Sequence, residues 1–293
     1  MATREDQPKT AIEHFNAAAE HYGKFTGGCT RELALSLLEL PQLADAGTPG
    51  SIVLDNACGT AIVSEEVIRR HGSVGSAAAN AATIYIVDAA PNMVEISRRK
   101  LEGLNEGRRY NITGHVMPGE HLDFGDGTFT HSITNLGILF YVDGLAGAKE
   151  IYRTLRAGGV AVVTSWIDLG YFDPIVKAAQ LEIRPNEPPH QLPLSPEWLA
   201  PSHLESILSQ GGFSDVKVSP VKVHYGADTV ERIVDLLAHA FRAIWKDWPD
   251  DDKTRFRVLV HEKTAQVAEQ YTMPNGKPGV GIPMTASVAV CRK

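Results

Sequence analysis

The feature that most constrains this chain is a regular alternation of short apolar runs and helical segments between Ser51 and Trp166. Ser51–Asp55 reads as a buried strand, Ala61–His71 as a helix, Thr83–Asp88 as a strand and Ala90–Gly103 as a helix. Ile112–Met117 and Thr130–Leu136 follow as strands, then a helix over Leu145–Leu155 and a fifth strand over Gly159–Trp166. Parallel strands need crossovers, so this alternation implies a doubly wound α/β fold with helices on both faces of a parallel sheet.

The flanks extend that frame. Residues 1–10 are polar, Thr10–Tyr22 has apolar residues at helical spacing, and Thr30–Leu40 reads as a second helix after the break at Gly27-Gly28. Gly72–Ala82 is a small-residue stretch expected to form a surface loop, and the proline-rich run 183–196 an extended connector. Leu199–Gln210, Thr229–Trp245 and Lys253–Tyr271 read as helices and Val216–Tyr225 as a strand. Thr285–Cys291, just after a turn expected at Gly279-Val-Gly281, reads as a returning antiparallel strand. The expectation is one domain with a seven-stranded sheet, mostly parallel, whose last strand is antiparallel.

Composition narrows the functional classes. The 28 basic and 35 acidic residues leave a formal net charge of −7, against a nucleic-acid binder or a peripheral membrane protein, both of which need a basic face. Cys29, Cys58 and Cys291 are odd in number and far apart, the pattern of a reduced, cytoplasmic chain. The first 20 residues carry no apolar leader, and no apolar run reaches the length of a membrane span. Asp250-Asp251-Asp252 is read as favourable charge at a helix start. The 11 histidines show no ligand spacing, so no metal is expected. Without a Gly-x-Ser-x-Gly elbow, acyl hydrolysis has no support.

The informative segment is VLDNACGTA, residues 53–61. A tight turn from strand to helix directs backbone N–H groups at a ligand on the carboxyl edge of the sheet. It lacks the lysine of a phosphate-binding loop and the three glycines of a dinucleotide fingerprint, having only Gly59 between Ala57 and Ala61. Asp88 ends the next strand, beside that turn, where a carboxylate can accept hydrogen bonds from ribose hydroxyls. It stands 33 residues beyond Asp55, against roughly 20 in dinucleotide sites, and the 72–82 loop absorbs the excess. Met93 could lie against a purine face, or serve as an ordinary core methionine.

These runs, with IVDAAPNMV, MPGEHLDFGDGTFTHSI, NLGILFYVD and LRAGGVAVVTSW, resemble in order and spacing the class I S-adenosylmethionine-dependent methyltransferases. The resemblance covers about residues 10–220 and the closing strand, and is strongest to small-molecule methyltransferases of fungal secondary metabolism. Tyr22-Gly-Lys-Phe-Thr-Gly27 is similar to the cofactor-covering segment of fungal thiol methyltransferases acting on dithiol diketopiperazines.

The resemblance implies a Rossmann-like domain over 1–293. Covering helices take 10–40, the core takes 50–225 and 285–292, and a helical insertion takes 229–271. It also implies S-adenosylmethionine as cofactor, with S-adenosylhomocysteine as product. Asp55, Asn56, Cys58 and Gly59 would line its amino-acid end. Asp88 would hold the ribose, Ala89 and Met93 flank the adenine, and Gly119 and Glu120 sit near its amino group. Asn135 and Leu136 would lie beneath the methionine moiety, with Tyr22 and Thr26 capping the carboxylate. Ala61 replaces the usual second glycine, and Pro118 stands where relatives often carry an aspartate.

Methyl transfer demands chiefly that a nucleophile be held near the methyl carbon, with a base assisting where a proton must leave. His21, Tyr22, Tyr141 and His190 are the candidate bases, and a thiol acceptor needs none. Phe140, Tyr141 and Trp166, with Phe172 and Trp198, are candidates to wall an apolar acceptor pocket. A thiol or hydroxyl of a small fungal metabolite is the expected acceptor. N- or C-methylation, a catalytically silent cofactor-binding subunit and a nicotinamide-dependent oxidoreductase remain as alternatives.

Overall fold

The computed structural model describes residues 10–71, 81–106 and 110–293. The polar segment 1–9 and most of the loop expected at 72–82 lie outside the described residues. The N-terminal cover is α1 (Ala11–Ala18), α2 (Tyr22–Phe25) and α3 (Cys29–Leu38). The sequence pattern predicts one helix over Thr10–Tyr22. Instead α1 starts at a capping box between Thr10 and Glu13 and ends at Ala18, and a turn separates it from α2.

The core follows as β1 (Ile52–Asn56), α4 (Ile62–His71), β2 (Thr83–Asp88), α5 (Pro91–Asn105) and β3 (Asn111–Val116). Next come β4 (Phe129–Thr134), α6 (Gly144–Thr154), β5 (Leu155–Asp168), α7 (Ala178–Ile183) and α8 (Pro201–Gln210). Local chemistry sets the boundaries: prolines open α5 and α8, and the Asp143 side chain caps α6 by accepting from Ala146 N. The chain closes with β6 (Asp215–Ala227), α9 (Val230–Ala240), α10 (Arg242–Trp245), α11 (Asp250–Val267), β7 (Glu269–Thr272) and β8 (Pro278–Arg292).

The strand order is β3-β2-β1-β4-β5-β8-β6. The pairs β3–β2, β2–β1, β1–β4 and β4–β5 are parallel, whereas β8 runs antiparallel to both β5 and β6. These seven strands match the expected sheet, and β7 adds a short eighth on β8. Residues 269–271 had the pattern of a helix end but form β7. Gly279 and Gly281 lie inside β8 rather than in a turn. The reversal sits at Met273–Lys277, closed by a hydrogen bond from Met273 N to Lys277 O, with Gly276 in the left-handed region.

The chain order reverses direction between β1 and β4. In a sheet of this kind, such a switch point opens a crevice at the carboxyl edge of the strands.

Candidate active site

A cavity of about 390 Å3 occupies that crevice. The ends of β1, β2 and β4 supply Asp55, Asp88 and Asn135; the turn after β1 supplies Ala57, Cys58 and Gly59. Ala89 and Met93 come from the start of α5, Pro118, Gly119 and Glu120 from beyond β3, and Leu136, Phe140 and Tyr141 from beyond β4. Thr10, Ile12 and Phe15 of α1 close it from above, with Tyr22 and Thr30 beside them.

Five of the cofactor and pocket-wall residues named from sequence do not line it: Asn56, Thr26 and Trp166, and with them Phe172 and Trp198, both buried outside its wall. Asn56 is fully buried next to the turn, Thr26 stands one helical turn behind Thr30, and Trp166 is buried in β5 opposite Ala286 of β8. Thr30 and the α1 residues were not singled out as ligands. Phe15 carried the only signal, as part of the apolar face of the first helix.

The turn is a run of left-handed backbone. Ala57 (φ 52°), Gly59 (φ 53°) and Ala61 (φ 54°) alternate in it, and Leu136 (φ 58°) follows just beyond β4. Ala57, Ala61 and Leu136 are the only non-glycine residues with positive φ among the described residues. Side chains in that region cost about 1–2 kcal/mol each, and such strain gathers at functional sites. Gly137 is required here by space, since a Cβ on it would lie 2.4 Å from that of Ala57.

Hydrogen bonds fix the polar groups. Gly59 N and Ala90 N donate to the two carboxylate oxygens of Asp88, each at 2.9 Å. Burial pushes the Asp88 carboxyl up, and those amides oppose it. Asp55 accepts from Ser64 N at 3.0 Å and Ser64 Oγ at 2.6 Å, yet burial dominates and raises its pKa to about 7. Asn135 donates to Thr30 O and accepts from Thr164 Oγ1, tying the cover to β5. Glu120 accepts from Val142 N at 2.7 Å, which pins the loop carrying Tyr141 over the cavity mouth.

Of the candidate bases, His21 is exposed beside Phe25, and His190 packs against Phe172 and Phe241; neither lines the cavity. Burial pushes the phenols of Tyr22 and Tyr141 up, so both stay protonated donors at neutral pH. Among the described residues, no lysine, arginine or histidine lines the cavity, whereas Asp55, Asp88 and Glu120 do. The site therefore favours a cationic or neutral ligand over an anionic one.

A model of the ubiE/COQ5 methyltransferase family matches residues 41–173. The chain is 22% identical to the methyltransferase ktnA of Aspergillus niger, over 90% of this chain and 91% of that one. It is 33% identical over 111 residues to the ubiquinone/menaquinone biosynthesis C-methyltransferase UbiE of Geobacter sp. strain M21. That match takes in 38% of this chain and 43% of the bacterial enzyme, so the shared stretch spans under half of it. Among solved structures, the cyclase SpnF superposes with a TM-score of 0.54 at 16% identity, over 96% of this chain and 94% of its own. That likeness concerns the fold, which a cyclase shares; the reaction must be argued from the site. Among the described residues, no helix is long and apolar enough to cross a membrane.

Proposed function

We propose that this chain is a class I S-adenosylmethionine-dependent methyltransferase that methylates a small neutral molecule at sulfur or oxygen, a reading supported by its similarity to the ubiE/COQ5 family model and to ktnA. The observation that carries the site assignment is Asp88, its two oxygens fixed by Gly59 N and Ala90 N at the edge of a strained, backbone-exposing turn. Each oxygen keeps a lone pair for a ribose hydroxyl.

The residues present fit the cofactor. Asp88 takes the ribose, and Ala89 and Met93 the adenine faces, with Gly119 and Glu120 at its rim. Asp55, Cys58, Gly59, Asn135 and Leu136 surround the amino-acid end, with Tyr22 above. Asn56 and Thr26 support this wall from behind. When bound, S-adenosylmethionine supplies an electrophilic methyl group on a positively charged sulfur. The acidic wall, with Asp55 at the amino-acid end, would stabilise that charge, and α1 would shield the cleft from water. Phe140 and Tyr141 form the apolar rim, and Trp166 buttresses β5 beneath the acceptor side. We read 1–293 as one domain, with α9–α11 as an insertion in the core.

Among the described residues the phenols on the cavity wall are protonated, no histidine joins them, and the three carboxylates are taken up by the cofactor in this reading, which favours an acceptor that ionises easily, such as a thiol or an acidic hydroxyl. C-methylation is the second reading, favoured by the similarity to UbiE. Calorimetry with S-adenosylmethionine, S-adenosylhomocysteine and NADP tests the cofactor. The first two bind and NADP does not, and Asp88→Ala weakens both by at least about tenfold, the equivalent of two lost hydrogen bonds. Unchanged affinity in Asp88→Ala overturns the ribose assignment.

A further inference from the structure

The face of α5 that meets the turn after β1 carries two side chains whose hydrogen bonds end on that turn. Ser97 is fully buried and donates its hydroxyl to Gly59 O at 2.8 Å. Lys100, three residues on and so on the same face, donates from Nζ to Thr60 O, also at 2.8 Å. Met93, one turn before Ser97, reaches the cavity from the same helix. Neither Ser97 nor Lys100 lines the cavity, so any effect on a ligand passes through the backbone they hold.

Both carbonyls need those donors. Gly59 (φ 53°) and Ala61 (φ 54°) are left-handed on either side of Thr60, so the chain does not enter α4 along a regular helical path. On such a path Ser64 N would donate to Thr60 O, four residues back. Here Ser64 N donates to Asp55 Oδ2 at 3.0 Å, and the first bond of that kind runs from Glu65 N to Ala61 O. Among the described residues, no backbone amide donates to Gly59 O or Thr60 O. Besides Ser97, Gly59 O meets only the Cys58 thiol, at 3.6 Å. Buried carbonyls are normally paired, and α5 supplies the pairing.

These bonds also fix which way the amides face. A trans peptide carries its C=O and N–H on opposite edges, so seating Gly59 O on Ser97 turns Thr60 N–H away from α5. Gly59 and Thr60 both line the cavity, and Gly59 N donates to Asp88 Oδ2 at 2.9 Å. Lys100 adds a further tie, pairing with Glu65 of α4 at 2.6 Å, and Glu65 also binds Arg31 of α3 at 2.6 Å. One ammonium group thus joins the turn to α4 and, through Glu65, to the N-terminal cover.

We propose that Ser97 and Lys100 are positioning residues of the cofactor site. They hold the carbonyls of Gly59 and Thr60 against α5 and so keep the turn in the left-handed form in which Gly59 N meets Asp88. This rests on the methyltransferase reading above and extends it to two side chains that stand behind the cavity wall.

The test uses the full chain, with S-adenosylhomocysteine as the probe in calorimetry and amide hydrogen exchange on the ligand-free protein. Ser97→Ala and Lys100→Met each weaken S-adenosylhomocysteine by about threefold to tenfold, the range for one hydrogen bond. Lys100→Arg keeps a donor and the charge, and stays within about twofold of the parent. In Ser97→Ala and Lys100→Met the amides of residues 59–61 exchange faster, by a larger factor than those of β4 and β5. A loss of stability with unchanged affinity of the folded chain, or faster exchange spread evenly over the sheet, overturns the proposal. So does a Lys100→Arg variant that binds as weakly as Lys100→Met. Failure of the wild-type chain to bind S-adenosylhomocysteine would instead overturn the methyltransferase reading, and the exchange rates would still decide whether the two side chains hold the turn.

Discussion

The two halves of the sheet, which meet along β5, use small residues for opposite purposes. In the parallel half, Ala57, Gly59, Ala61 and Leu136 hold left-handed backbone around the cavity. There the unusual conformation exposes peptide groups to a ligand. In the antiparallel half, β6 and β8 pair without a break from Asp215 opposite Arg292 to Ala227 opposite Val280. The glycines within β6 and β8 have no positive φ and are there for room. A Cβ on Gly281 would lie 2.6 Å from that of His224, and one on Gly226 would lie 2.2 Å from the Tyr271 hydroxyl. One half is strained to bind, whereas the other is packed to hold. His224 shows the second role, bridging Glu32 of α3 and Glu269 of β7 at 2.8 Å each and so fastening the cover to the sheet.

If that division is right, the largest effect on stability alone comes from the antiparallel half. Gly281→Ala forces a methyl group into His224 and Tyr271, where overpacking costs about 2 kcal/mol. The midpoint of thermal unfolding should fall by roughly 5 °C. Affinity of the folded protein for S-adenosylhomocysteine should stay within about twofold. A loss of affinity as large as that expected for Asp88→Ala would mean that the halves are not separable.

The same division explains what could be read from sequence. Each parallel strand is a short buried run bounded by a crossover helix, so β1 to β5 and the turn after β1 stand out in the pattern. Most residues of the candidate site sit at fixed offsets from those strand ends, and Asp88 follows from its place alone. β8 was legible only in its second half. Its first half contains Gly279, Pro283 and Gly281, residues that mark turns in isolation and are tolerated here because neighbouring side chains occupy the space. The π-helical turn Phe172–Lys177 was hidden for a related reason: it has no periodic signature, and Gly170 before it gains its meaning only from Pro283, far along the chain. The left-handed φ of Leu136 was equally hidden, since nothing in a leucine announces it.

A smaller effect separates the halves by pH. Burial raises the pKa of Asp55 to about 7 and that of Asp88 in the same direction, so both bind a proton more tightly in the folded chain than in the unfolded one. The ligand-free protein therefore loses stability as pH rises from the ordinary carboxylate range towards 7. A cationic ligand reverses the preference, because it interacts with the ionised carboxylates. Affinity for S-adenosylmethionine should rise severalfold between about pH 6 and 8, and more steeply than affinity for S-adenosylhomocysteine, which lacks the sulfonium charge. Calorimetry across that range checks it, with Asp55→Asn expected to flatten the slope. Equal slopes for the two ligands would remove the carboxylates from charge recognition.

The smallest effect is the most direct measure of strain. Ala61 and Ala148 are both fully buried, but Ala61 has φ 54° whereas Ala148 sits in the ordinary helix α6. Replacing either with glycine removes a buried methyl group, worth about 0.8 kcal/mol, and adds flexibility to the unfolded chain. In α6 the helix penalty of glycine adds to this, so Ala148→Gly should cost about 2 kcal/mol. At position 61 the glycine also relieves a left-handed alanine, about 1–2 kcal/mol, which cancels the loss. Ala61→Gly should therefore leave denaturant stability within roughly 0.5 kcal/mol of the parent. If both substitutions cost the same, the turn stores no strain. The contrast between a half that is strained to bind and a half that is packed to hold would then rest on the cavity alone.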